Sequence, residues 1–166
     1  MQNKVVLFTI MCILISCSVH IATVPPKYEG VKLTIDTPEN ITDGFITINV
    51  SLENNTIHDF YIIDKRYFDI PSNTCWGLEI ISQDTKQIVR RSVLINHGVV
   101  RRTDYVFIES GHTYTFQLSV DFTELCNSLG YGKYSIKLNY YDSRRYRLKA
   151  FKGKIESNVR KVLYEP

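Results

Sequence analysis

The sequence predicts an all-β protein, folded as an antiparallel β-sandwich of about eight or nine short strands with one short helical turn. Apolar and polar residues alternate along most of the chain, in short segments that turn residues separate. No long helical pattern occurs between these segments, which argues against a parallel sheet with crossover helices. The length of 166 residues and the lack of an internal repeat predict a single domain.

The alternation is clearest in four segments. In residues 44–52, one face carries Ile46, Ile48, Val50 and Leu52, while the other carries Thr47, Asn49 and Ser51. The same rhythm predicts strands at 31–35, 114–120 and 134–140. Six segments rich in β-branched and aromatic residues predict further strands: 56–63, 76–81, 87–94, 105–108, 151–157 and 159–164.

Turn residues between these strands predict two hairpins. Residues 82–86 form a loop of hairpin length between two predicted strands. Residues 109–112 form a second such loop, in which Gly111 is free to adopt a positive φ. Only residues 121–129 have a helical pattern, and this pattern stops before Gly130.

The first stretch of the chain predicts export. Lys4 supplies a positive charge, and the apolar run 5–15 that follows is too short to span a bilayer comfortably. We therefore expect residues 1–16 to be a signal peptide, residues 17–29 a tether, and residues 30–166 the folded domain.

The end of the apolar run predicts a lipid anchor. Residues 14–17 (Leu-Ile-Ser-Cys) resemble a bacterial lipobox, in which the cysteine becomes the lipid-modified first residue of the mature chain. Lipidation of Cys17 would place the domain in the cell envelope, anchored to a membrane on its extracytoplasmic side. Cleavage after Ser18, which would give a secreted protein, is the alternative, and an uncleaved anchor is a third possibility.

Two cysteines remain for the mature domain. Cys75 and Cys126 lie next to predicted strand ends, and disulfides persist in exported proteins, so we expect a bond between them. Trp76 would then cover this bond. Two buried, unbonded thiols are the alternative, and a reactive catalytic thiol is a further one.

Motifs in the second half of the chain resemble those of a known family. They are residues 102–111 (RTDYVFIESG), 120–125 (VDFTEL), 132–136 (GKYSI) and 155–158 (IESN). Their spacing resembles the immunoglobulin-like pro-region domain of deuterolysin-type zinc peptidases and related stand-alone bacterial domains. The family's usual Pro before Gly111 is Ser110 in this chain. The resemblance implies an immunoglobulin-like sandwich, but it brings no catalytic residue, because no His-Glu-x-x-His motif occurs.

No arrangement of residues points to catalysis or to a metal. His58 and Asp59 would point to opposite faces of a strand, and His97 and His112 fall in separate turns. No Gly-x-Ser-x-Gly nucleophile motif occurs either. We therefore expect no metal, no cofactor and no enzymatic activity.

A run of basic and aromatic residues is the candidate binding site: Arg144, Arg145, Tyr146 and Arg147. The export signal argues against nucleic acid as the partner. Local positive charge attracts anionic lipid headgroups or an acidic polymer. The alternative is a charged hairpin tip that keeps a sheet edge from aggregating.

These observations predict an exported, lipid-anchored, non-enzymatic domain that presents loops or an edge strand to an unknown protein or surface polymer. The first alternative is a proteinase inhibitor that uses residues 95–103 or 141–149, because the chain has a looser similarity to the small proteinase-inhibitor sandwiches of bacilli. The second alternative is a secreted enzyme with an unrecognised site.

Overall fold

The computed structural model describes residues 28–64, 75–91, 102–126, 130–142 and 149–165. In these ranges the chain is mostly strand, which confirms the predicted all-β sandwich. The elements, in chain order, are β1 (Val31–Asp36), β2 (Asn40–Ile41), β3 (Phe45–Asn54), β4 (Phe60–Ile63), β5 (Trp76–Ser82), β6 (Ile88–Arg91), β7 (Tyr105–Ile108), β8 (Thr113–Asp121), helix α1 (Phe122–Cys126), β9 (Gly132–Asp142), β10 (Gly153–Glu156) and β11 (Arg160–Tyr164).

The strands form three sheets. Sheet A has the order β1-β3-β8, and sheet B has the order β2-β11-β9-β5-β6, with β10 also paired to β9. Sheet C consists of β4 and β7. All pairs are antiparallel except β2 with β11, which run parallel. Sheets A and B pack face to face, and the rings of Trp76 on β5 and Phe116 on β8 meet with centroids 5.3 Å apart.

The period-two pattern decides which side chains enter the core. In β3, every second residue from Ile46 to Leu52 is at most 2% exposed. In β9, the same holds from Tyr134 to Tyr140, where none exceeds 1%. Because successive side chains in a strand point to opposite faces, each strand contributes one apolar row to the core between the sheets.

Two features typical of immunoglobulin-like sandwiches are present. Trp76 is buried on β5, in the centre of sheet B, and Tyr134 near the start of β9 donates its hydroxyl hydrogen bond to the carbonyl of Gly130. Antibody domains carry a disulfide cysteine two residues after this tyrosine. Here that position is Ile136, which is fully buried and lies opposite Ile80, so aliphatic packing fills this part of the core.

The sandwich has two distinct ends. We call the upper end the one at which β5 begins and β9 ends, where Trp76 lies opposite Tyr140. We call the lower end the one at which β9 begins. The lower end also contains α1, since Phe122 packs edge-on against Tyr134 with ring centroids 5.2 Å apart.

The strand predicted at 56–63 is shorter than expected, because Asn54 holds its first part in a turn. The Asn54 side chain is completely buried, and its amide donates to the carbonyls of His58, Ile108 and Glu109 at 2.9, 3.3 and 3.0 Å. Its carbonyl oxygen accepts from the backbone N–H and the hydroxyl of Thr56. These bonds take the place of the backbone hydrogen bonds that a strand here would have formed with a neighbouring strand.

One of the two predicted hairpins is wrong. The loop at 82–86 joins β5 to β6, which pair as expected. The loop at 109–112 joins β7 to β8, but β7 pairs with β4 and β8 pairs with β3, so the chain passes from sheet C to sheet A there. Gly111 does adopt the positive φ expected of it, at 75°.

The folded part begins earlier than the predicted boundary at residue 30. Tyr28, which falls in the predicted tether, is 2% exposed. Its ring packs against Phe60 and Phe151, and its hydroxyl donates to the carbonyl of Ala150 at 3.0 Å. The packed domain therefore includes Tyr28.

Candidate functional site

The upper end brings together the ends of strands from sheets B and C. β4 ends there at Ile63, β5 begins there at Trp76, and β9 ends there at Asp142. The amide of Asp64 donates to the carbonyl of Asp104 at 2.9 Å, and the amide of Tyr141 donates to the carbonyl of Cys75 at 2.7 Å. In variable immunoglobulin domains, loops clustered at one end of the sandwich form the binding site. The upper end is therefore the candidate functional site.

Side chains of sheet B fix the backbone of sheet C at this end. The indole nitrogen of Trp76 donates to the carbonyl of Ile63 at 2.9 Å, and the hydroxyl of Tyr140 accepts from the Ile63 amide at 3.1 Å. The rings of Trp76 and Tyr140 also touch, with centroids 4.7 Å apart. Both backbone groups of Ile63 are thereby satisfied, which a buried residue requires.

Tyr140 acts in this cluster as a neutral group. Burial is the main cause that raises the pKa of its hydroxyl well above the ordinary value, and the nearby Cys75 and Asp142 raise it further. The phenol therefore stays protonated at physiological pH. Its role in the described structure is to hold the Ile63 amide.

A buried acid lies beside this cluster. Asp142 is 2% exposed, and the hydroxyl of Tyr105 donates to its carboxylate at 3.3 Å. Neither residue was predicted to be a site residue. The alternation of β9 contained the signal, because the inward row that runs through Leu138 and Tyr140 places Asp142 on the inner face as well.

Two of the predicted sites lie outside the described residues. These are the lipidation site Cys17 and the basic run Arg144, Arg145, Tyr146 and Arg147. In the sequence, the basic run falls between Asp142 and Lys149, two described residues that lie at the upper end. Both sites stay predictions. So does the proteinase-inhibitor alternative, since residues 95–103 and 141–149 fall mostly outside the described ranges.

The predicted disulfide between Cys75 and Cys126 is not supported. Cys75 is 2% exposed and lies beside Tyr141 at the upper end, whereas Cys126 ends α1, which packs near Tyr134 at the lower end. The stretch of β9 between these two tyrosines spans about 23 Å. Bonded cysteines have Cα atoms about 4.4–6.8 Å apart. Trp76 packs on Tyr140 and Phe116, in place of the disulfide that it was expected to cover.

The histidines do not form a metal site in the described ranges. No group of three or more His, Cys, Asp or Glu side chains there is arranged to hold a metal ion. His58 and His112 are both exposed, and the ring of His112 lies 3.1 Å from the carbonyl of Ser110 and 3.6 Å from the carboxylate of Glu109. Within the same ranges, no helix is long and apolar enough to cross a membrane.

Comparison with known proteins yields only distant structural likeness. No family model matches the chain, and no curated protein matches it. Similar solved structures include the β-glucosidase from Listeria innocua in complex with isofagomine (9% identity, TM-score 0.41) and a mutant of it in complex with laminaribiose (8% identity, TM-score 0.42). The alignments cover 81% and 82% of this chain but only 16% of the enzyme. Likeness at this level carries no argument about function.

Proposed function

We propose that the protein is an exported, non-enzymatic binding domain, anchored by a lipid on Cys17, whose basic upper end binds the anionic headgroups of the membrane that carries it. The observation that carries this proposal is the hydrogen bond between the Tyr28 hydroxyl and the Ala150 carbonyl. It joins the start of the described chain to the residues that follow segment 143–148.

This bond supports a membrane-facing upper end. The predicted tether enters the domain at Tyr28, and the segment that contains the basic run returns to the domain at Lys149. The amide of Tyr61 donates to the Lys149 carbonyl at 2.9 Å, which fixes this return point against sheet C. Tether and basic run therefore connect to the same part of the domain.

The length of the tether agrees with this arrangement. Cys17 and Tyr28 are eleven positions apart in the sequence, and a random coil of that length has a root-mean-square length of about 20 Å. Charges act on an anionic surface only within about one Debye length, which is about 8 Å at physiological ionic strength. A tether of this length brings the upper end to the surface frequently, and each Arg there contributes about 1 kcal/mol to binding.

Vesicle sedimentation tests the basic run. The Cys17→Ala chain, which lacks the proposed lipid, is mixed with vesicles of phosphatidylcholine alone or with added phosphatidylglycerol. We expect binding to the anionic vesicles only. The triple variant Arg144→Glu, Arg145→Glu, Arg147→Glu should lose about 3 kcal/mol of binding free energy, or about 100-fold in affinity.

A matched control reverses three exposed lysines at the lower end: Lys86→Glu, Lys133→Glu and Lys161→Glu. It changes the net charge equally and should retain most of the binding. Equal loss in both triple variants would mean that net charge alone attracts the protein, and the upper end would have no special role. Absence of binding to anionic vesicles would refute the headgroup assignment.

Metabolic labelling with a palmitate analogue tests the anchor separately. We expect label and membrane fractionation in the natural chain, and loss of both in Cys17→Ala. Unchanged labelling in the variant would show that Cys17 is not the lipidation site.

A further inference from the structure

The outward face of sheet A differs from an ordinary solvated surface in having no charge at its centre. We call it the hydroxyl face, because hydroxyl and amide side chains compose it: Thr34, Thr47, Asn49, Ser51, Thr115, Gln117 and Ser119. They follow the outward positions of β1, β3 and β8, opposite the core row of the same strands.

The charges at the margin of this face are already bound within the chain. Asp36 accepts from the guanidinium of Arg160 at 2.8 Å, and Glu53 lies 3.7 Å from the ammonium of Lys32. Asp121, at the lower margin, accepts from the amide of Glu124 at 2.9 Å and caps α1. Each of these marginal charges thus has a partner within the described part of the chain.

The outward face of sheet B provides an internal comparison. Lys137 lies there opposite Glu79 and donates to Glu156 at 2.6 Å, and Lys154 forms an ion pair with the same carboxylate. Both faces belong to one chain and are exposed to the same solvent. The lack of charge on the hydroxyl face is therefore a local property of sheet A and does not follow from the composition of the protein.

The side chains of the hydroxyl face lie in rows across the strands. Thr34, Ser51 and Thr115 are in register. Asn49 is in register with Gln117, whose amide donates to the Asn49 side-chain oxygen at 2.8 Å, and with Asp36 at the β1 edge of the same row. Neighbouring strands are about 4.8 Å apart, and side chains on one face repeat about every 6.7 Å along a strand. A shallow, open depression of about 520 Å³ lies over these rows, and Asp36 is part of its lining.

An exposed aromatic ring stands at the lower edge of the same face. Phe45 begins β3 at an outward position and is 57% exposed. Phe45 lies opposite Asp121 and outside the lining of the depression. A large exposed ring beside polar side chains can contact a ligand that has apolar and polar sides. Pyranose rings have this property, because their C–H groups form an apolar face and their hydroxyls surround it.

We propose that the hydroxyl face binds a neutral polysaccharide, with the sugar hydroxyls along the Thr, Ser, Asn and Gln rows and one ring on Phe45. Each of these side chains both donates and accepts hydrogen bonds, as each sugar hydroxyl does. The absence of charge suits an uncharged polymer, and the repeat along the strands suits an extended one. This proposal does not depend on the lipid anchor or on the basic run.

Affinity chromatography of the full chain, in mild detergent, tests the proposal. Columns carry dextran, mannan, xylan or curdlan, and a polygalacturonate column serves as the acidic comparison. We expect retention on at least one neutral column. Phe45→Ala and Gln117→Glu should each weaken it about 5- to 10-fold, the first by removing the stacking ring and the second by placing a carboxylate in the row.

Two matched variants control for exposure and charge. Ile88→Ala removes an apolar side chain, 49% exposed, from the outward face of sheet B, and Gln87→Glu makes the same chemical change at an exposed turn. Both should keep the retention of the natural chain. Circular dichroism and urea unfolding verify that all four variants fold.

Three results would overturn the proposal. They are no retention on any neutral column, retention on polygalacturonate alone, and retention that Phe45→Ala and Gln117→Glu leave unchanged. Sedimentation equilibrium adds a fourth, since a dimer that Gln117→Glu dissociates would make the face a contact between two copies of the chain. The triple variant Arg144→Glu, Arg145→Glu, Arg147→Glu should still be retained on the neutral polysaccharide columns. This result separates the present test from the vesicle test of the proposed function.

Discussion

The two ends of the sandwich are stabilised in different ways. At the upper end, buried side chains bind the backbone of distant strands: Trp76 and Tyr140 hold Ile63, and Asn54 binds the backbone on both sides of its turn. At the lower end, backbone groups of separate elements bind each other, as where the carbonyl of Gly44 accepts from the Phe122 amide at 2.8 Å, and the buried Tyr134 binds the exposed carbonyl of Gly130.

The difference lies in the exposure of the backbone groups that are bound. Ile63 is buried, so its amide and carbonyl need partners within the protein, and the hydroxyl of Tyr140 and the indole N–H of Trp76 supply them. The carbonyl of Gly130 is exposed and can also bind water. We therefore expect the described part of the upper end to depend more on its buried polar side chains than the lower end does.

The largest expected effect is at Asn54 in the upper end. Asn54→Ala leaves three carbonyls and one amide without their side-chain partner, at a fully buried site. We expect a loss of about 3 kcal/mol in the free energy of unfolding, measured by urea denaturation. Asn49→Ala, at an exposed position of the same strand, should change it by about 0.5 kcal/mol or less. Similar values for the two variants would contradict the anchoring role of Asn54.

Two glycines with similar φ angles, one at each end, allow the cost of a Gly→Ala substitution to be compared between the ends. Gly44 at the lower end has φ 78°, and Gly111 at the upper end has φ 75°. A Cβ on Gly44 would overlap the hydroxyl of Thr123, whereas one on Gly111 meets nothing within 4 Å. We expect Gly44→Ala to cost about 3 kcal/mol and Gly111→Ala about 1 kcal/mol.

The double variant identifies the cause of this difference. With Thr123→Ala present, the overlapping hydroxyl is removed, and Gly44→Ala should then cost about 1 kcal/mol, as at Gly111. If the cost stays near its value in the natural chain, backbone strain rather than Thr123 explains it.

The next largest loss of unfolding free energy is expected from substituting two tyrosines on β9. Tyr140→Phe leaves the amide of buried Ile63 without its acceptor, for about 2 kcal/mol. Tyr134→Phe frees the carbonyl of Gly130, which is exposed and can bind water, for about 1 kcal/mol. Hydrogen exchange should become faster at the Ile63 amide only in Tyr140→Phe. Equal acceleration in both variants would indicate global unfolding and remove the distinction between the ends.

The smallest effect concerns Glu156 on the outward face of sheet B. Hydrogen bonds from Lys137 and then Lys154 lower the pKa of its carboxyl group. A lowered folded-state pKa stabilises the protein above the unfolded pKa, and this contribution is lost as the pH falls through the folded value. We expect Glu156→Gln to cost a few tenths of a kcal/mol at pH 7, because the pair is exposed and screened.

The pH dependence provides the check. The difference in unfolding free energy between the natural chain and Glu156→Gln should shrink toward zero between about pH 5 and pH 2. Added salt should reduce it at pH 7. A difference that stays constant with pH would mean that the carboxylate charge contributes nothing.

The fold was predictable where local pattern and burial coincide. The alternation from Ile46 to Leu52 and from Tyr134 to Tyr140 identified β3 and β9, because both strands have one face on the core. β2 was missed, because two residues have no periodicity and their partner strand lies near the end of the chain. The turn after Asn54 was read as strand, since only its buried amide distinguishes the two conformations.

The candidate site was less predictable, because it depends on which ends of the strands meet. Nothing near Cys75 or Cys126 in the sequence indicates that they belong to opposite ends. The alternation of β9 did place Asp142 on the inner face, but its contact with Tyr105 arises from the meeting of sheets B and C. The positions of Cys17 and Arg144–Arg147 in the sequence suggested their roles, which only the labelling and vesicle experiments will test.

Several contacts join residues that are far apart in the sequence, and this has a consequence for how the chain folds. The hydrogen bond from Tyr28 to Ala150 joins residues 122 positions apart, and the bonds between Ile35 and Asn158 join residues 123 positions apart. β2 completes its pairing only with β11. Contacts of such high order are slow to form, because the entropy of closing the loop is lost before they contribute. The pairings of β11 with β2 and β9 can form only after Tyr164 has been synthesised, so we expect this part of sheet B to form late.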